Sequence, residues 1–264
     1  MSSARAIPEQ VAGFSPDPGR QPAALRAAAP VHLGLVIPTL REAANISAVL
    51  DRAIGALDAL GISYELIVVD DDSRDGTEFL VKKLTAAGQP VRFLCRKGEH
   101  GLGSAVLHGW QTSEAEVLGV MDADLQHPPE LLPALWRAVE AGSDLALASR
   151  YVRGGSADQW NFARHFLSRA AITLTQPLQR RGISVKDPMS GFFLVRRSCI
   201  RDVRLQTKGF KLLLEILVRG DIQSASEVPF TFACRQSGSS KAGIRVGLDY
   251  LRTLARLWRQ RRAD

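Results

Sequence analysis

The stretch "EVLGVMDADLQHPPE" (residues 116–130) combines three local signals that decide the fold. Its apolar first part predicts a buried β-strand over 116–125, and the paired prolines predict that a helix begins at Pro129. Between the two stand Asp122 and Asp124, one residue apart. A nearly continuous apolar strand followed at once by a helix is typical of a parallel sheet whose two faces are covered by helices.

The flanking sequence repeats this alternation of strand and helix. Apolar runs predict strands over 33–40, 64–73, 91–96 and 144–151. Helical patterns predict helices over 43–60 and 76–87, a helix that follows the turn "GEHGLGSA" and ends near Thr112, and a helix from Pro129 to Ala141. After Tyr151 we expect a long helix over 160–180, the amphipathic segment "GFKLLLEILVRG" and the edge-like segment "ASEVPFTFACR". The predicted fold class is α/β, with a mostly parallel central sheet, helices on both faces and amphipathic helices at the C-terminus.

Length and composition indicate one large globular domain with short extensions. The 264 residues are 45% hydrophobic and 23% charged, which is ordinary for a chain with a sizeable core. Residues 1–30 contain five prolines and no continuous apolar segment, so we expect a flexible N-terminal arm. The folded domain is expected over 31–243, and a basic amphipathic helix over 244–264.

The cysteines and the apolar runs bear on the location of the protein. Cys95, Cys199 and Cys234 are scattered and form no CxxC pair, so their spacing gives neither a disulfide framework nor a zinc site. No apolar run approaches the ~20 residues of a membrane span, and the N-terminus lacks the apolar core of a signal peptide. We therefore expect a cytoplasmic protein.

The net charge of +7 is concentrated near the C-terminus. Residues 196–264 hold 15 Lys and Arg against 6 Asp and Glu. A basic segment suits nucleic acid, phosphorylated substrates or an anionic membrane surface, and charge alone leaves these alternatives open. A nucleic-acid-binding module is the remote alternative. Such a module would interleave basic and aromatic residues on one face, whereas the basic residues of this chain cluster near its C-terminus. Here acids line the presumed cleft, so no nucleic acid partner is expected.

The C-terminal helix has one apolar stripe with arginines beside it. At 100° per residue the stripe contains Ile244, Leu248, Leu251, Ala255 and Trp258, and it is flanked by Arg245, Arg252, Arg256 and Arg259. A basic amphipathic helix that ends in Trp is typical of an element lying on a membrane interface. A helix docked on the domain with its arginines in water explains the same pattern, and both interpretations stay open.

Acidic side chains gather where the predicted strands end. Residues Asp70–Asp72 end one strand, and Asp122 and Asp124 end another. Ligands of open α/β sheets bind beyond the carboxyl ends of the strands. Five acids at one edge repel each other unless a cation or a hydrogen-bond donor lies between them, and a divalent metal is the simplest solution. Asp122, Asp124 and Gln126 offer the oxygen ligands that Mg²⁺ and Mn²⁺ prefer, and they leave coordination positions for a diphosphate.

Eight ordered segments over residues 33–243 resemble glycosyltransferase family 2 and, within it, the dolichol- or polyprenol-phosphate mannose synthases. They are "VIPTLREAANI", "IVVDDDSRDGT", "GLGSA", "MDADLQHPPE", "SRYVRGG", "DPMSGFF", "GFKLLLEIL" and "RQSGSSKAG". The resemblance implies a GT-A fold and an inverting, Mg²⁺- or Mn²⁺-assisted transfer of a hexose from a nucleotide-sugar to a polyprenyl phosphate. GDP-mannose is the expected donor, and UDP-glucose or another UDP-sugar is the alternative.

The resemblance also implies roles for individual residues. The nucleotide contacts would be Pro38, Thr39 and Glu42 after the first strand and Val69 and Asp71 after the second. The metal and diphosphate motif would comprise Asp122, Ala123, Asp124 and Gln126. Arg150 matches the family's arginine after the fifth strand, and Arg235 and Lys241 match a pair that similar enzymes use on phosphate. The catalytic residues would be Asp122, Asp124, Arg150, Arg235 and Lys241. The family often has Tyr where Thr39 stands and a basic residue near Glu99 and His100, and this chain departs from both.

The acceptor determines whether the reaction requires a general base. A phosphate monoester, with a second pKa of ~6, is already largely anionic near neutrality. We therefore expect no general base, and Asp187 is the alternative base if one is needed; capping the turn before Pro188 would explain Asp187 equally well. His127, beside the metal motif, is expected to be structural. A lipid acceptor and a cytosolic donor imply peripheral attachment at the cytosolic face of a membrane.

Overall fold

The computed structural model describes residues 31–156, 172–179, 182–205, 211–231 and 258. The strands are β1 Leu33–Thr39, β2 Tyr64–Asp70, β3 Val91–Cys95, β4 Val117–Val120, β5 Leu145–Ser149, β6 Phe193–Arg196 and β7 Ala225–Pro229. The helices are α1 Ile46–Asp58, α2 Thr77–Ala86, α3 Leu102–Gln111, α4 Leu132–Glu140 and α5 Leu212–Arg219. The predicted alternation of strands and helices up to β5 is confirmed.

The described residues form one seven-stranded sheet in the order β3-β2-β1-β4-β6-β5-β7. All neighbouring pairs are parallel except those of β6, which runs antiparallel to both β4 and β5. The prediction of a mostly parallel sheet is therefore confirmed, and the edge position expected for the "ASEVP" segment is that of β7. The antiparallel β6 was not predicted, because its four residues follow an irregular loop and lack a helix before them.

The two faces of the sheet are buried by different helices. Alternate residues of a strand point to opposite faces, so Leu35 and Val68 pack with α1 and α4, whereas Val36 and Ile67 pack with α3 and α5. Helix α5 is buried almost all round, from Leu212 to Leu217. The amphipathic pattern of this segment therefore does not give α5 a broad solvent face, because even Glu215 is buried.

Strands β2 and β4 end earlier than their apolar runs predicted. Strand β2 stops at Asp70 because the Ser73 N–H donates to the Asp70 carboxylate (2.7 Å) and closes a turn. Within that turn Asp72 and Arg74 have φ values of 54° and 52°. Strand β4 stops at Val120, five residues before the predicted end. The acids after both strands consequently lie in loops.

The parallel arrangement brings many loops to one edge of the sheet. Six strands have their carboxyl ends there, and β6, which runs the opposite way, begins there after Gly191. The chain places β2 and β3 on one side of β1 and β4 on the other. Such a reversal of strand order opens a crevice beyond the strand ends, which is where open α/β sheets bind ligands.

Several predictions concern segments outside the described residues. These are the arm over 1–30, most of the helix expected over 160–180, Arg235, Lys241 and the C-terminal helix, of which only Trp258 is described, as helical and 40% exposed. Residues 172–175 are helical and continue into a 3₁₀ turn at Gln176–Leu178. Among the described helices, none has the length and hydropathy that crossing a membrane demands.

Candidate active site

The loop after β4 holds two carboxylates and an amide close together. The Asp122 side chain is 31% exposed, and Asp124 is buried. The Gln126 N–H donates to Asp124 Oδ1 (3.1 Å), and Leu125 between them has a φ of 60°. A left-handed conformation costs a residue with a side chain roughly 1–2 kcal/mol. Leu125 keeps it because its side chain is buried in the core beneath the loop.

The donor set of this loop fits a hard divalent cation. Asp122, Asp124 and Gln126 supply oxygen ligands, and Mg²⁺ is commonly held by one or two carboxylates together with substrate phosphates. Among the described residues, no three His, Cys, Asp or Glu side chains converge into a complete metal cage. The oxygens of a phosphorylated substrate could add to this ligand set.

Hydrogen-bond donors and arginines of the protein relieve the repulsion among the aspartates after β2, which is one of the two means expected from the sequence, so these three acids do not require a metal ion. Asp70 accepts hydrogen bonds from the hydroxyls of Thr39 (2.7 Å) and Ser73 (2.6 Å). Asp72 pairs with Arg74 at 2.6 Å on the surface, and this contact lowers the pKa of Asp72. Each acid therefore has its own local partner.

Asp71 forms a buried ion pair with Arg96, a residue that was not predicted. Arg96 Nε donates to Asp71 Oδ1 (2.9 Å), and the Gly101 N–H donates to Oδ2 (2.9 Å). Arg96 also donates to Ser104 Oγ (2.9 Å), so one guanidinium joins the loop after β2 to the first turn of α3. Gly101 has a φ of 130°, which favours glycine. Helix α3 begins directly after this turn, at Leu102.

The other residues implied for the nucleotide lie around the same end of β1 and β2. Pro38 and Val69 are paired neighbours in the two strands, and Thr39 pairs with Asp70. Thr39 and Val69 are buried, and Glu42 accepts a hydrogen bond from the Asn45 side chain (2.8 Å). Their contact with a nucleotide stays a prediction.

Arg150 and Asp187 form a second buried ion pair, between the loop after β5 and the loop before β6. Asp187 is fully buried, and it accepts from Arg150 Nε (2.8 Å), Nη2 (2.8 Å) and the backbone N–H (3.1 Å). Burial opposes the charge on Arg150, but the hydrogen bonds to Asp187 outweigh it and raise the pKa of Arg150. The Asp187 carboxylate thus binds Arg150 rather than capping the turn before Pro188. A carboxylate whose two oxygens both accept hydrogen bonds from an arginine is a poor general base.

His127 is a buried neighbour of the metal motif, in keeping with its predicted structural role. Its ring lies between Phe192 and Phe230, with centroids 5.7 and 5.6 Å away. Its Nδ1 lies 3.4 Å from Asp122 Oδ2. Burial lowers the pKa of His127 to about 4, against the opposing effect of Asp124, so the imidazole is neutral near pH 7.

Lys211 is a further cation of this group that sequence reasoning missed. It immediately precedes α5, is partly buried, and has its pKa lowered to about 8, chiefly by burial and then by Arg150. Asp187 and Asp122 act on it in the opposite direction. The structure therefore gathers Asp122, His127, Arg150, Asp187 and Lys211 into one electrostatically linked cluster. The segment "GFKLLLEIL" was recognised, but a lysine before an apolar helix carries no sign of where it points.

The architecture is that of the GT-A glycosyltransferases. The fold resembles glucosyl-3-phosphoglycerate synthase from Mycobacterium tuberculosis, whose structure was solved with Mn²⁺, UDP-glucose and phosphoglyceric acid. The TM-score is 0.63 at 18% identity, over 88% of this chain and 79% of that one.

Sequence comparison gives the family. Residues 35–204 match the model of glycosyl transferase family 2, so the chain belongs to that family and is a glycosyltransferase. It is 41% identical over 227 residues to a dolichol-phosphate mannosyltransferase of Pyrococcus furiosus, which covers 86% of this chain but only 64% of the archaeal protein. It is 37% identical to a dolichol-phosphate mannosyltransferase of Mycosarcoma maydis, over 86% of this chain and 79% of the fungal one.

Proposed function

We propose that this glycosyltransferase transfers a hexose, with inversion, from a nucleotide-sugar to a polyprenyl or dolichyl phosphate, and that GDP-mannose is the donor. The observation that carries the proposal is that the Asp122–Gln126 loop and the buried cation Arg150 follow the carboxyl ends of β4 and β5 at one edge of the sheet, with Lys211 near enough to both for their charges to shift its pKa. This combination suits a reaction between a sugar diphosphate and a phosphate acceptor, because the acids can hold a metal ion and the cations can bind phosphate. The names of the two relatives support the choice of substrates.

On the donor side, Asp122, Asp124 and Gln126 would hold Mg²⁺ or Mn²⁺. The ion, when bound, supplies Lewis-acid stabilisation of the negative charge that develops on the leaving diphosphate. The protein contributes the fixed geometry of its loop, which the left-handed Leu125 and the Asp124–Gln126 hydrogen bond maintain. Arg235 and Lys241, outside the described residues, are proposed as further diphosphate contacts.

On the acceptor side, Arg150 and Lys211 would orient the phosphate for attack on the anomeric carbon. A phosphate monoester with a second pKa of ~6 supplies its own anionic oxygen, so no proton has to be removed. This agrees with the engagement of both Asp187 oxygens by Arg150. Positioning and electrostatics then carry the rate. Because the acceptor is a lipid, we also propose that the C-terminal segment contacts the cytosolic face of a membrane.

A donor panel tests this proposal. We expect radiolabelled mannose from GDP-mannose to appear in the organic phase with a short polyprenyl phosphate as acceptor, with little transfer from UDP-glucose. The reverse preference would favour the alternative UDP-sugar donor, which the bound UDP-glucose of the structural relative brings into consideration. Transfer from neither donor, under conditions in which a known family member is active, would contradict the proposal.

Lys211→Met is expected to raise the KM for the polyprenyl phosphate about tenfold while the KM for the donor changes little. A hydrogen bond to a charged group is worth about 1.5–3 kcal/mol, and the lysine lies with Arg150 rather than in the metal loop. Steady-state kinetics with each substrate varied in turn measures the effect. Lys82→Met on the exposed face of α2 is the matched control. A rise in donor KM alone would move Lys211 to the donor side.

A further inference from the structure

Gly191, in the loop before β6, faces the carboxylate of Asp122 at a distance that admits no side chain. A Cβ built on Gly191 would lie 2.9 Å from Asp122 Oδ2 and 3.5 Å from its Cγ, and 3.3 Å from His127 Cε1. Real Cβ atoms essentially never approach a neighbour within 3.0 Å. The glycine does not have a positive φ, so close approach rather than backbone conformation accounts for the residue here.

His127 bounds the same oxygen from another direction. Its Nδ1 lies 3.4 Å from Asp122 Oδ2, the atom that the Gly191 Cβ would strike. The imidazole itself has little room to move, because it is buried between the rings of Phe192 and Phe230. These rings arrive from the loop before β6 and the end of β7, so three separate chain segments define the position of one carboxylate oxygen.

We propose that Gly191 and His127 are positioning residues that together fix the orientation of the Asp122 carboxylate for metal binding. The proposal rests on the role of Asp122 given under the proposed function. Gly191 contributes the space that the carboxylate occupies, and His127 forms the wall that stops it from turning away. Neither residue has to touch a substrate, and both act through Asp122.

The geometry predicts what an added methyl group at position 191 does. The nearest atom is the end of a partly exposed side chain, and such an atom can move without displacing backbone. The Asp122 carboxylate is therefore expected to move, while the backbone and the fold are retained. Gly191→Ala is expected to leave the protein folded but to raise the apparent Kd for Mn²⁺ by about 10–100-fold, the usual effect of disturbing the outer shell of a metal site.

The test measures Mn²⁺ binding without turnover, by the EPR signal of free Mn²⁺ titrated with the full chain in the presence of GDP. Gly55→Ala is the matched control, since Gly55 lies on the exposed face of α1 and its Cβ would meet nothing within 4 Å. His127→Leu is expected to weaken Mn²⁺ binding as well, and His127→Asn, whose amide can replace Nδ1, to restore part of it. Thermal melting of each variant separates weakened metal binding from unfolding.

The outcomes distinguish this proposal from the proposed function. Weaker Mn²⁺ binding by Gly191→Ala and His127→Leu, with Gly55→Ala unchanged and the melting temperatures retained, supports the positioning role. Unchanged Mn²⁺ binding in both folded variants, with binding lost in Asp122→Asn, overturns the positioning role alone. Undiminished Mn²⁺ binding in Asp122→Asn overturns the metal site itself, and with it this inference. If Gly191→Ala is unfolded, the His127 pair decides by the same criteria.

Discussion

Asp122→Asn and Asp124→Asn are each expected to lower kcat/KM for sugar transfer by about 10²–10³, the effect of losing one preorganised charge-stabilising group. Each change keeps the size of the side chain but removes a negative charge from the loop after β4. A cation held by the remaining acid is bound less firmly, so the leaving diphosphate loses stabilisation as its charge develops. Steady-state transfer at saturating acceptor measures the loss.

Asp72→Asn provides the control for these substitutions. Asp72 lies at the same edge of the sheet and is also an aspartate, but it pairs with the exposed Arg74. We expect its kcat/KM within about twofold of the unmodified protein, because exposed ion pairs contribute little. Equal losses in Asp72→Asn and Asp122→Asn would mean that the net charge of the edge matters rather than a specific site, which is contrary to this account.

Asp187→Ala is expected to lower the free energy of unfolding by about 3–5 kcal/mol, the cost of leaving one partner of a buried ion pair without the other. Asp187 is fully buried and the Arg150 side chain is 10% exposed, so water cannot replace the carboxylate. Urea denaturation measures the change. We expect activity to fall as well, because Arg150 loses the three hydrogen bonds that orient it.

The double variant Arg150→Met/Asp187→Leu separates stability from catalysis. Replacing a buried ion pair by apolar residues of similar volume is often neutral or stabilising, so most of the unfolding free energy should return. Activity should not return, because the cation is gone. A loss below about 1 kcal/mol in Asp187→Ala would contradict a desolvated pair, since exposed pairs contribute no more than that. A wild-type pH–rate profile that follows one carboxylate with a pKa near 7 would instead favour Asp187 as a base.

Much of the fold could be predicted because it depends on burial along the sequence. The runs "LGLVIPT" and "YELIVVD" are mostly apolar and become β1 and β2, each of which lies between two other strands of the sheet. Strand ends were less accurate, because they depend on side-chain bonds such as that of Ser73 to Asp70 and on the left-handed Leu125. Antiparallel β6 could not be predicted, because the position of a four-residue strand depends on the neighbours that it joins.

The candidate site likewise contains residues that the local sequence identifies and residues that only the folded structure identifies. Asp122, Asp124 and Gln126 were predicted, because acids that follow a buried strand are visible in the sequence. Arg96 could have been found, since it follows β3 directly beside the end of β2. Lys211, Gly191 and the contact of His127 with Asp122 required the structure. Gly191 and Lys211 lie 69 and 89 positions after Asp122 in the sequence. They matter because the fold brings their loops near Asp122, and no local sequence pattern encodes such an approach.

The central claim, that a divalent cation held by Asp122 and Asp124 assists departure of the nucleoside diphosphate, has one direct test. Mannose transfer from GDP-mannose to a polyprenyl phosphate is measured after removal of metal with EDTA, and again after addition of Mg²⁺ or Mn²⁺ in excess. The account predicts that transfer stops with EDTA, returns with either ion, and does not return in Asp122→Asn at the same ion concentration. Full transfer in the presence of EDTA would contradict it.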